Sequence, residues 1–127
     1  MNAPPPPLAS RLLLVEDEFL IRMTLSEALA EDGFEVVEAE DADAALERLR
    51  HDPDGFALML TDIQLPGRLD GVALARHARI SRPDLPVIFM SGQPETKIAP
   101  NPLDTFVGKP YSPTALSATV RRILNGG

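Results

Sequence analysis

The chain has 127 residues, 44% of them hydrophobic and 24% charged, which is the size and balance of one globular domain with its own core. It contains no cysteine, so disulfides and thiolate metal centres are excluded. A formal net charge of −7 opposes a nucleic-acid surface.

Met1–Pro7 carries four consecutive prolines and reads as an extended lead, so residues 1–9 are expected outside the fold and 10–127 inside it. The lead has neither the basic nor the apolar part of a secretory signal. No apolar run nears the ~18 residues that span a bilayer, so a cytoplasmic protein without membrane contact is expected. Arg11–Val15 (RLLLV) predicts a first strand, and Glu18–Glu31 a helix with Ile21, Leu25, Ala28 and Leu29 on one face. Gly33 ends that helix, and Phe34–Glu38 predicts a second strand. Asp41 caps a helix to about Arg50, and Pro53 and Gly55 mark a turn before a third strand at Phe56–Thr61. Asp70 caps a helix to about Ser81, Val87–Met90 predicts a fourth strand, and Thr105–Val107 a weaker fifth. Ser112-Pro113 starts the last helix, which Asn125-Gly126 stops.

Strands alternating with helices predict a doubly wound α/β fold with a five-stranded parallel sheet. The runs at 12–15, 57–60 and 87–90 show no polar alternation, as strands covered on both faces require. In such a sheet, ligands bind beyond the carboxyl ends of the strands. Glu16 and Asp17, Asp62, Ser91 and Lys109 each follow a different predicted strand, so three carboxylates, a hydroxyl and an ammonium converge. Three close carboxylates repel one another, and Lys109 cannot balance them alone. A hard divalent cation, Mg²⁺ or Mn²⁺, supplies the missing charge through oxygen ligands. The combined site suits a phosphoryl group, with Asp62 as a carboxylate nucleophile. Each piece alone is an ordinary turn or cap; the joint pattern is what carries the reading. His51 and His77 fall on helices or their ends and are expected at the surface, away from this crevice.

The matching segments are VEDE at 15–18, LTDIQLPG at 60–67, DG at 70–71, PVIFMSG at 86–92 and FVGKP at 106–110. Together they resemble the receiver domains of two-component response regulators, across nearly all of residues 10–125. That resemblance implies a flavodoxin-like sheet of order 2-1-3-4-5 and a chain that catalyses only its own phosphorylation and dephosphorylation. It implies that Asp62 takes phosphate from a histidine kinase or histidine phosphotransferase and that a downstream protein partner reads the result. Asp17, Asp62 and the backbone carbonyl of Gln64 would hold the metal, with Glu16 acting through water. Lys109 would pair with the phosphoryl group and precede a cis proline, Ser91 would be the switch hydroxyl, and Phe106 the switch aromatic that turns inward. Gln64 and Gln93, two residues beyond Asp62 and Ser91, are candidates for orienting an attacking water.

Three departures stand out. Glu16 replaces the commoner aspartate, the loop from Pro66 to Gly71 is one residue longer, and Ser91 to Lys109 is about four residues shorter. With Pro94, Pro100 and Pro102 in that span, the fourth helix is expected to shrink to about Glu95–Ile98, putting the usual dimer in doubt. The chain ends about three residues past its last helix, so a stand-alone receiver is expected, with a segment of a longer regulator or hybrid kinase left open. Two other readings compete: a pseudo-receiver that binds without phosphorylation, and a haloacid-dehalogenase-like phosphatase. The latter needs an acid at position 64, which is glutamine here.

Overall fold

The structure is a computed structural model that describes residues 11–92 and 101–125. Five parallel strands, β1 (Arg11–Val15), β2 (Glu35–Ala39), β3 (Leu58–Asp62), β4 (Val87–Ser91) and β5 (Asp104–Gly108), form one sheet of order β2-β1-β3-β4-β5. The helices among the described residues are α1 (Phe19–Glu31), α2 (Ala42–His51), α3 (Gly71–Ser81) and α4 (Pro113–Leu124). The expected fold and strand order hold. The proline-rich lead, Gln93 and the segment Glu95–Ile98, where a shortened helix is expected, lie outside the described residues. Among the described residues, no helix is long and apolar enough to cross a membrane.

The uninterrupted apolar runs are explained by two cores. Leu13, Val15, Met59, Val87 and Phe89 face α2 and α3, whereas Leu12, Leu14, Leu58, Leu60 and Ile88 face α1 and α4. Successive residues thus alternate between two buried layers instead of between core and water. The predicted caps form: Asp41 accepts from the Ala44 amide, Asp70 from Ala73 and Ser112 from Ala115, at 2.8, 2.8 and 3.0 Å.

Boundaries shift by one or two residues. Phe56 lies ahead of β3: its ring is buried beneath the Arg11 guanidinium, 4.9 Å from the ring centroid, and pairing begins only at Leu58. At the other end, Asp62 and Ser91 are the last residues of β3 and β4, because the ladder runs on through Asp62–Met90 and Ser91–Gly108. Both side chains therefore stand on sheet backbone instead of free loops.

Candidate functional site

Glu16, Asp17, Asp62, Gln64, Ser91 and Lys109 line one cleft of about 330 Å³ at the carboxyl ends of the strands. Every acidic, hydroxyl and ammonium group singled out from sequence is thus brought together. Lys109 Nζ lies 2.7 Å from Asp62 Oδ1 and 4.0 Å from Glu16 Oε1. The Lys109 amide donates to the Ser91 carbonyl at 2.7 Å, tying two walls of the cleft, and the peptide from Lys109 to Pro110 is cis.

Phe106 lines no part of this cleft. It stacks on Phe89, with ring centroids 5.2 Å apart and planes 18° from parallel, and stays 51% exposed. It is therefore an outward-lying ring on the α3 side of the sheet edge and not a core aromatic. His51 and His77 are exposed, as expected.

The carboxylates differ in burial. Glu16 is 1% exposed and Asp62 3%, while Asp17 is open to solvent. Glu16 Oε2 accepts from the Glu18 amide at 3.0 Å. Its Oε1, and Asp62 Oδ1, are buried without a hydrogen bond, so the short approach of Lys109 is an ion pair lacking hydrogen-bond direction. Burial, followed by contact with Asp62, pushes the Glu16 pKa up to about 8, against the lowering effect of the Glu18 amide. Burial opposes charge on Lys109, yet contact with Asp62 and the fields of Asp62, Glu16 and Glu18 hold its pKa above the usual lysine value. Burial, with the charges of Asp62 and Glu16, likewise raises the Tyr111 phenol.

The donor set fits a hard cation. Glu16, Asp17 and Asp62 each offer an oxygen, all within 4.8 Å of one another, and two buried oxygens lack hydrogen-bond donors. All-oxygen, carboxylate-rich sites suit Mg²⁺ or Mn²⁺.

Two features escaped the sequence reading. Gly71, noted only as half of a motif, is packed against the Asp62 backbone: a Cβ there would lie 2.0 Å from the Asp62 carbonyl oxygen. Arg22 reaches back from α1, donating to the Glu16 carbonyl at 2.7 Å and to Glu38 at 3.1 Å. Its position on a helix gave no sign of this; the only hint was a lone cation one turn inside a helix that follows an acidic run. Beside the cleft, an apolar groove of about 600 Å³ runs along Leu20, Ile21, Leu25, Pro110, Tyr111 and Pro113, next to Lys109. Phe19 and Leu20 near it are 62% and 68% exposed.

The family described as response regulator receiver domain matches residues 12–121. The chain is 36% identical over 118 residues to the response regulator receiver protein CpdR of Brucella abortus (strain 2308), covering 90% of this chain and 96% of that one. It is 34% identical to the phosphate regulon transcriptional regulatory protein PhoB of Escherichia coli (strain K12), covering 92% of this chain but 52% of PhoB, about half its length. Among solved structures, the receiver domain from the hybrid histidine kinase CckA matches with a TM-score of 0.79 at 32% identity, covering 90% of this chain and 98% of that one. The chain belongs to the response regulator receiver family and is a receiver domain of two-component signalling.

Proposed function

We propose that Asp62 accepts a phosphoryl group from a phosphohistidine of a histidine kinase or histidine phosphotransferase, in the presence of Mg²⁺ or Mn²⁺. The observation that carries this reading is the 2.7 Å pairing of Lys109 with a buried Asp62 beside two further carboxylates. Asp17, Asp62 and the Gln64 carbonyl would hold the cation, with Glu16 acting through water. When bound, the cation offsets negative charge on the carboxylates and on the phosphoryl oxygens.

A carboxylate oxygen of Asp62 attacks phosphorus, the P–N bond breaks, and its electron pair returns to the imidazole of the donor. Lys109 turns from the carboxylate to a phosphoryl oxygen, and the Ser91 hydroxyl follows. Phe106 leaves its outward stack on Phe89 and turns inward, and the altered sheet edge is read by a protein partner. Hydrolysis of the acyl phosphate at the same site resets the domain, so the chain acts on no substrate but itself. The apolar groove beside Lys109 gives a phosphohistidine-bearing partner a surface to bury while its imidazole reaches Asp62. Intact acidic, serine and lysine positions disfavour a pseudo-receiver.

The test is intact mass after incubation with acetyl phosphate, with and without Mg²⁺. A Mg²⁺-dependent gain of one phosphoryl group by the parent, and none by Asp62→Asn, is the expected result. Equal labelling of Asp62→Asn, or no labelling of a folded, metal-binding parent by either acetyl phosphate or a phosphorylated kinase, refutes it.

Gln64 is exposed at the mouth of the cleft, where its amide can orient a water towards the phosphorylated Asp62. Gln64→Ala is expected to slow dephosphorylation about threefold, which corresponds to ~0.6 kcal/mol, the size of one weak hydrogen bond. An unchanged decay of the phosphorylated mass would leave Gln64 as a plain loop residue.

A further inference from the structure

Arg22 stands one turn inside α1, outside the acidic cleft, yet its side chain is only 14% exposed. Nε pairs with Glu38 on β2 at 3.1 Å, while Nη1 donates to the main-chain carbonyl of Glu16 at 2.7 Å. The ring of Phe19 lies 5.7 Å from its centre and covers it from the outer side. A simple helix-to-strand brace needs only the Glu38 contact. The second contact goes to the backbone of the acidic run itself, and it is a short charge-assisted bond.

That bond acts with others that hold the loop between β1 and α1. The Glu16 amide donates to the Ala39 carbonyl at 3.1 Å, and the Glu18 amide to Glu16 Oε2 at 3.0 Å. Asp17 lies between these anchors, so the path of its backbone is set by how Glu16 and Glu18 are held. It is also the exposed member of the carboxylate trio. An exposed carboxylate that must meet a cation beside two others has to be positioned before the cation arrives, against their repulsion.

We infer that Arg22 is a positioning residue for cation binding: by clamping the Glu16 carbonyl to β2 through Glu38, it preorganises Asp17. The inference rests on the reading above that the acidic cleft holds a divalent cation. Arg22 touches neither the cation nor the phosphoryl group. Its removal frees the Glu16 carbonyl and lets the loop relax, and outer partners of this kind commonly carry about tenfold or more in metal affinity. Lysine cannot replace it, since one ammonium on a flexible stem does not span both acceptors as a planar fork does.

The experiment is direct Mn²⁺ binding to the full chain, followed by the electron paramagnetic resonance signal of free Mn²⁺. Arg22→Ala is expected to weaken binding about tenfold, Arg22→Lys by less, and Glu38→Gln severalfold while keeping the arginine itself. Arg82→Ala is the control: Arg82 braces the Pro53 and Phe56 carbonyls far from the acidic loop, so its loss loosens the fold and leaves Mn²⁺ affinity at the parent's value. Parent-like binding by Arg22→Ala, or equal weakening in Arg82→Ala, overturns the inference while the proposed function stands. A folded parent that binds no Mn²⁺ removes both, and so separates the two failures.

Discussion

Without metal, the protein is expected to lose stability steadily as the pH rises from about 5 to about 8. The cause is Glu16, whose carboxyl is raised from 4.5 to about 8 in the folded chain. Below the lower value both folded and unfolded chains hold the proton, and Glu16 contributes no slope. Between the two values the unfolded chain has released it and the folded chain has not. The native state then binds more protons, and stability falls with rising pH by up to about 1.4 kcal/mol per unit. Above the upper value both states are ionised and the slope vanishes. Lys109 is also shifted upwards, which favours its charged form, but its titration lies above the ordinary lysine range and outside this window. Urea unfolding at pH 5 and pH 8 measures the effect. Glu16→Gln should flatten the difference, and Mg²⁺ should restore stability at pH 8 while adding little at pH 5, where a proton competes for the same oxygen. A parent with equal stability at both pH values would mean that this carboxyl is hydrated in the folded state.

The second large effect is expected from the addition of a single methyl group. Gly71 opens α3, and its amide donates to the Ile63 carbonyl at 2.7 Å. A Cβ at this position would meet the Asp62 carbonyl oxygen at 2.0 Å, the Asp62 carbonyl carbon at 2.9 Å and the Ile63 Cα at 3.0 Å. All three are backbone atoms of Asp62, the last residue of β3, or of Ile63 just after it, so no side chain can swing aside. Gly71→Ala should lower stability by about 3 kcal/mol and slow phosphoryl uptake by about a hundredfold, through a shift of Asp62 of the order of an ångström. Gly33→Ala supplies the comparison. Its Cβ would meet nothing within 4 Å, but φ is +94°, so it should cost ~1 kcal/mol through backbone strain and leave uptake unchanged. Phosphorylation of Gly71→Ala at the parent rate would show that the helix moves instead of the strand.

The fold was legible because its central strands are buried on both faces, and Leu12–Val15 and Val87–Met90 advertise this in their composition. The caps at Asp41, Asp70 and Ser112 were legible because capping is local chemistry. The cleft followed from topology, since residues at successive strand ends must meet once the sheet is parallel. Other features had no local signature. Whether Asp62 ends a strand or follows it depends on pairing with β4, and Phe56 is buried in the core on the α2 and α3 side with Arg11, distant in sequence, over its ring. The outward lie of Phe106 depends on its register with Phe89. Arg22 reads as an ordinary helix residue until α1 is folded back beside Glu38. These are properties of packing, and periodicity does not encode them.

The alternation of β3 between two cores makes the strand a ruler with a parity. Leu58 and Leu60 serve one layer and Met59 the other, and Asp62 closes the same count. Deleting one residue inside β3 would either send the leucines ahead of the cut to the opposite layer or turn Asp62 through half a revolution, away from Lys109. Deleting two would restore the layers but withdraw the carboxylate from the cleft by a strand step of about 7 Å. Length changes that spare the pairing of Asp62 with Lys109 are therefore confined to the connections, and β3 admits substitution but no change of count.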